Sequence, residues 1–294
     1  MRAHYGKCSM YKTDGEMNKQ ERKELEAHFE FGENWERYSV LINDERIREA
    51  GVGLAKLVPK EELCGKSFLD IGCGSGLHSL AAAQMGTSRI LAVDLDPKSV
   101  ETTEKILNRY AQETDSTVLG ASVFDLRPEI HGHFEVVYSW GVLHHTGSMN
   151  EAISLASRLV KPGGLFVFAL YRKTLMCRFW GWEKRWYSKT SPGMQKFARS
   201  LYLCLFKGNM FLSRKSFPSY LQEYKKNRGM DFFHDVHDWM GGYPYESIAP
   251  NEVDRLMESL GFALERRFLL EDSIPLKLGF FGSGNDEYVY RRRY

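Results

Sequence analysis

Asp70 closes the apolar run Phe68-Leu69-Asp70 and is followed by glycines at alternate positions, Gly72, Gly74 and Gly76, interleaved with Cys73 and Ser75. Glycine tolerates positive φ and has no Cβ, so such a turn lets a ligand lie against bare backbone where a buried strand gives way to a helix. A second apolar run, Ile90 to Val93, also ends in an acid, Asp94, with Leu95 and then Asp96-Pro97 behind it. A carboxylate at that place can accept both hydroxyls of a ribose. Asp96, one residue before a proline, has the form of a helix cap. The remaining chemistry is imidazole: His144-His145 after a third apolar run, and His234-x-x-His237-Asp238 further on. Histidines titrate near neutrality and serve as general bases. His234, His237 and Asp238 share one helical face and could grip a metal, but no complete ligand set is visible, and a hydrogen-bonded helix end is the preferred reading.

Strands and helices must alternate to place these groups at one end of a sheet. The pattern predicts a strand ending at Asp70, strands at Arg89–Asp94 and Val118–Leu126, a fourth that with its exit loop spans Phe134–His145, and a fifth around Leu165–Phe168, with a small-residue helix from Leu77 to Met85 after the glycine turn. That alternation implies a mostly parallel, doubly wound sheet with ligands at the carboxyl ends of its strands. A helix from Ala249 to Leu260 and two late strands, Phe262–Leu269 and Tyr288–Arg293, complete the chain. Ahead of the first strand, Leu25, Phe29, Trp35, Tyr38, Leu41, Ile47 and Leu54 predict two or three helices.

Four segments in this order resemble the class I S-adenosylmethionine (SAM) methyltransferases: D-I-G-C-G-S-G at Asp70–Gly76, the acid Asp94, E-V-V-Y-S-W-G-V-L-H-H at Glu135–His145, and L-V-K-P-G-G at Leu159–Gly164. The resemblance implies a Rossmann-like, mostly parallel seven-stranded α/β sheet with a helical N-terminal cap, and SAM as cofactor. It implies that the glycine turn, with Cys73 and Ser75, faces the methionine part of SAM and the ribose, and that Asp94, with Leu95, holds the ribose. Ser122, Val123 or Asp125 would meet the adenine; Trp140 and Gly141, at the exit of the fourth strand, complete the cofactor site. Tyr38 is a contact from the cap. By the same resemblance a histidine of the pair His144-His145 is a base; His144 is expected to pack as a core histidine, so the role falls to His145, or else to His234 or His237. Tyr171 and Arg172, just after the fifth strand, would hold the acceptor, Arg172 through a carboxylate or phosphate.

The composition is that of a soluble globular protein: 294 residues, 43% hydrophobic and 27% charged. Five scattered cysteines, an odd number without metal spacing, fit a reducing cytoplasm, and the polar N-terminus carries no apolar signal. The net charge of +2 conceals a segregation, because residues 171–230 hold fourteen Lys and Arg against two carboxylates, Glu183 and Glu223. The expected organisation is a cap over residues 1–56, a SAM-binding core over 57–170, a basic and aromatic helical insertion over 171–246 and the rest of the core over 247–294.

Three readings compete for the insertion. It is a lid with aromatics inside and basic chains solvated, or a site for an anionic substrate or membrane surface, or an RNA site. RNA ranks last, since the aromatics fall at helical intervals. The function predicted is methyl transfer to oxygen or carbon of a small molecule that is anionic, aromatic or lipid-linked. Transfer or cyclisation of the aminocarboxypropyl arm of SAM is the alternative, and a non-catalytic SAM-binding or RNA-binding protein is a third reading.

Overall fold

The computed structural model describes residues 44–228, 232–270 and 278–294. The predicted cap contact Tyr38, like most of the predicted cap, lies outside them. The elements in chain order are α1 (Asp44–Leu57), α2 (Lys60–Leu63), β1 (Ser67–Ile71), α3 (Leu77–Gln84), β2 (Arg89–Asp94), α4 (Pro97–Tyr110), β3 (Asp115–Gly120), α5 (Pro128–His131), β4 (Phe134–Trp140), α6 (Met149–Arg158), β5 (Val160–Tyr171), α7 (Cys177–Lys189), α8 (Pro192–Leu212), α9 (Phe217–Arg228), α10 (Phe232–Gly241), α11 (Pro250–Ser259), β6 (Phe262–Phe268) and β7 (Asn285–Arg292).

The strands form one seven-stranded sheet in the order β3-β2-β1-β4-β5-β7-β6. Strands β1 to β5 pair in parallel, and β7 inserts antiparallel between β5 and β6. Both faces are covered, which is why β1 is buried along its whole length and reads as an unbroken apolar run. One face packs Leu69, Val137 and Phe166 against α6 and α11, and the other packs Phe68, Val136 and Val167 against α1 and α3. The strand order reverses between β1 and β4, so the crevice at their carboxyl ends is the natural ligand site.

Two predicted elements are redrawn. The third strand ends at Gly120, not Leu126: Ser122 Oγ accepts from the Phe124 N–H and starts a 3-10 turn over Val123–Asp125. Lys161-Pro162-Gly163-Gly164 lies inside β5 as a bulge, where pairing with β4 jumps from Phe134↔Val160 to Val136↔Leu165. Gly163 takes a positive φ there, and a Cβ on Gly164 would stand 2.7 Å from the Glu135 carbonyl oxygen.

Candidate active site

The glycine turn is held from three sides. The Gly72 and Cys73 N–H groups donate to the Val93 carbonyl, tying the turn to the end of β2. Gly72 has φ +77°, and a Cβ on it would lie 2.3 Å from Val142 Cγ2, in the loop leaving β4. Gly76, at φ +75°, is pressed against Thr103 of α4, whose hydroxyl donates to the Gly74 carbonyl at 3.2 Å. Only glycine fits the first and last of these positions.

Asp94 belongs to the same assembly. Its Oδ2 accepts the Gly74 N–H and its Oδ1 accepts the Asp96 N–H, both at 2.9 Å. Each oxygen thereby retains acceptor capacity for a diol. Burial raises the pKa of this carboxyl, against the pull of those backbone donors. Asp96 caps α4 through the Lys98 and Ser99 N–H groups, with Pro97 in the first turn. Asp70 is buried and takes a 2.6 Å bond from Ser79 Oγ, and desolvation pushes its pKa up to about 7. Bare backbone, a diol-ready carboxylate and a buried acid beneath the turn fit a cationic nucleoside such as SAM.

Leu95 is exposed beside Asp94, Val123 is buried, and Asp125 is exposed at the end of the 3-10 turn. The Ala121 N–H donates to the Asp94 carbonyl, which places Ser122 and Val123 next to the acid. Trp140 turns toward β7, its Nε1 donating to Glu287 Oε1 at 2.9 Å, and Gly141 follows at φ +76° with open space around it. His78 of α3 lies between this indole and Tyr138, and burial pushes its pKa down to about 4.

A second cluster forms where β4 and β5 end. His144 is fully buried, 4.4 Å from the His145 ring and 3.9 Å from that of Tyr171, and the Tyr171 N–H faces its Nδ1 at 3.4 Å. Its Nε2 has no hydrogen-bond partner. Burial first, then the neighbouring His145 and Lys184, holds His144 neutral. His145 Nδ1 sits 2.8 Å from the Pro244 carbonyl oxygen, so Nδ1 carries the ring proton and Nε2 is the basic nitrogen. A Cβ on Gly242 would come within 2.7 Å of His145 Cε1.

The insertion closes over these histidines. From α7, Lys184 points inward, fully buried, with its Nζ 4.0 Å from the Trp239 ring centroid, 5.3 Å from that of Tyr245 and 5.9 Å from that of Tyr171. Three aromatic faces thus surround an ammonium that has no hydrogen-bond partner. Burial pushes its pKa down, an effect that Glu183 partly opposes, while burial pushes Glu183 up. Lys184, Trp239 and Tyr245 are not among the site residues that the sequence motifs point to. The available signal was that Trp180, Lys184 and Tyr187 stand at i, i+4 and i+7, one inward face of α7.

The other predicted groups are placed elsewhere in the network. Arg172 is buried and its Nε donates to Asp286 Oδ2 at 2.8 Å, across the β5–β7 seam. His237 Nδ1 lies 2.7 Å from Arg199 Nη1 and 2.8 Å from Tyr187 Oη, joining α7, α8 and α10. The side chain of His234 lies outside the described residues. Among those described, no three His, Cys, Asp or Glu side chains converge to hold a metal.

Strand order, glycine turn and terminal acid together match the fold of the class I SAM-dependent methyltransferases, whose cofactor is SAM. A family model described as a methyltransferase domain matches residues 69–168. Ribosomal protein L11 methyltransferase of Bacillus cereus is 32% identical over 150 residues, 45% of each chain. The chain thus spans about half the length of the curated relatives it matches. Among solved structures, the fold is similar to magnesium protoporphyrin IX methyltransferase of Synechocystis with bound SAM, at TM-score 0.54 and 12% identity, covering 95% of this chain and all of that one. It is similar as well to 1,6-didemethyltoxoflavin-N1-methyltransferase of Burkholderia thailandensis, at TM-score 0.51 and 13% identity, covering 96% and 94%.

Proposed function

We propose that the protein methylates a small molecule bearing an acidic or anionic group, at oxygen or carbon, with SAM as donor. The observation that carries this reading is the buried Lys184 ammonium, facing aromatic rings beside His144 and His145. Glu183 offsets the burial of this cation only in part, and an acceptor carboxylate, phenolate or enolate would offset the rest. The small size of the acceptor is supported by the enclosure of this place under α7 and α10. A protein substrate, as in the name of the Bacillus relative, would have to enter between them.

In this reading the glycine turn and Asp94 hold SAM, which supplies a methyl group on a sulfonium. His145 takes the acceptor proton at Nε2, its tautomer fixed by the Pro244 carbonyl. Lys184 fixes the anionic group, while Tyr171, Trp239 and Tyr245 keep water out. Arg172 acts through Asp286 as an anchor of the strand end that carries Tyr171. Residues 171–246 serve as the substrate lid.

The test is mass spectrometry of the protein incubated with SAM and a small-molecule extract of its host. S-adenosylhomocysteine together with an acceptor heavier by one methylene is expected, with turnover at least tenfold lower in His145→Ala at nearly unchanged SAM affinity. Methylthioadenosine above the enzyme-free control would instead mean that the aminocarboxypropyl arm reacts.

A further inference from the structure

The outer faces of α7 and α8 carry a pattern that the enclosed site does not use. While α7 turns Lys184 inward, it turns Phe179, Trp182 and Trp186 outward, and Trp182 is 64% exposed. On α8, Met194, Phe197, Leu201, Leu205 and Leu212 recur along one side, and Phe197, Leu201 and Leu205 are 64, 51 and 59% exposed. Tyr202, Phe206 and Met210 of the same helix pack inward. The two helices are antiparallel neighbours: Gln195 Nε2 donates to the Tyr187 carbonyl at 3.0 Å, and the Trp180 and Tyr202 rings meet at 6.4 Å. Scattered exposed apolar residues are ordinary, but continuous rows on adjacent helices mark an interaction surface.

The charge on the two helices is one-sided. Arg178, Arg185 and Lys189 are exposed along the flank of the α7 row, Lys196 and Lys207 are exposed on the side of α8 away from its apolar row, and the one carboxylate on either helix, Glu183, is buried on the inner side. We infer that α7 and α8 dock this protein on an anionic lipid bilayer. The aliphatic and aromatic rows enter the boundary between headgroups and acyl chains, the indoles sit at that boundary, and the Lys and Arg heads meet lipid phosphates. No described helix is long and apolar enough to cross a membrane, so the attachment is peripheral. RNA would answer the charge, but Met194, Leu201 and Leu205 offer a base no stacking plane. A second copy of this chain would set two uncompensated basic faces against each other.

The experiment is co-sedimentation of the full chain with phosphatidylcholine vesicles, with and without phosphatidylglycerol, at low and high salt. Binding is expected only with phosphatidylglycerol, weakening as salt rises. It should fall at least tenfold in Phe197→Asp/Leu201→Asp and separately in Arg185→Glu/Lys189→Glu, with SAM affinity unchanged. All four side chains face solvent, and the charge-reversal pair tests the surface even if the apolar pair impairs folding. No binding to anionic vesicles, or binding indifferent to both pairs, overturns the inference. So does light scattering that shows a dimer dissociated by Phe197→Asp/Leu201→Asp, or an RNA oligonucleotide bound where vesicles are not. Because vesicle binding is read without acceptor or turnover, its failure would leave the methyl-transfer reading untouched.

Discussion

At the scale of single residues, the site is built from groups held in protonation states that water would not give them. Asp70 has a folded pKa of about 7 against 3.8 for the free side chain, raised by burial. A raised carboxyl contributes stability that is full below the unfolded value and is lost as pH rises through 7. A cationic nucleoside placed over the turn favours the ionised form, so SAM binding near pH 6 to 7 should release a proton. Calorimetry in two buffers of different ionisation enthalpy measures this; Asp70→Asn should abolish the buffer dependence. Lys184 gives the complementary prediction. Replacing it by Met removes a buried cation whose burial Glu183 offsets only in part, and the melting temperature should rise by the equivalent of about 1 kcal/mol or more, while KM for the acceptor rises at least tenfold. A lysine with a purely structural role would give the opposite melting shift. The cofactor half of this site is legible in the sequence because its residues lie next to the turns they shape. Lys184 is not, because its burial is decided by Trp239 and Tyr245, more than fifty positions away, on elements that the local pattern does not connect.

Elements bring those residues into register. The glycine turn, the end of β2 and the loop after β4 meet around Gly72, where the bare Cα allows Val142 to close over it. Gly72→Ala should therefore lower stability by about 2 to 4 kcal/mol, from the positive φ and from displacement of Val142, and should weaken SAM binding with it. Thermal melts with and without SAM check both parts. The same scale explains what the sequence misplaced. The apolar run Val118–Leu126 reads as one strand, but Gly120 ends the pairing with β2 and Ser122 diverts its hydroxyl to the next backbone N–H. The K-P-G-G segment reads as a turn before β5, but its glycines permit a bulge within it. In both cases the hydrophobic period is right, and a local hydrogen bond or a positive φ resets the boundary.

At the scale of the molecule, the chain adds four helices, α7 to α10, between β5 and α11. They pack on one another through Tyr187, Phe232, Val236 and Met240, and Trp180 and Tyr202 donate to the Gly279 and Phe281 carbonyls just ahead of β7, the strand that pairs with β5. There Asp286 accepts from Arg172 Nε and, through its other oxygen, from the Leu270 N–H at 2.9 Å. Asp286→Ala would take the carboxylate away from a buried guanidinium and should cost about 3 to 5 kcal/mol, seen as a lowered denaturation midpoint. This long-range pair had no signature in the sequence, where Arg172 stands out only as a cation after a strand. The aromatic cage around Lys184 also bears on turnover. If the reacting group is the anionic oxygen that Lys184 holds, its methylation erases the charge, leaving a neutral ether or ester against an ammonium it can no longer neutralise. The cage that draws the acceptor in would then push the product out, and product inhibition should be weak.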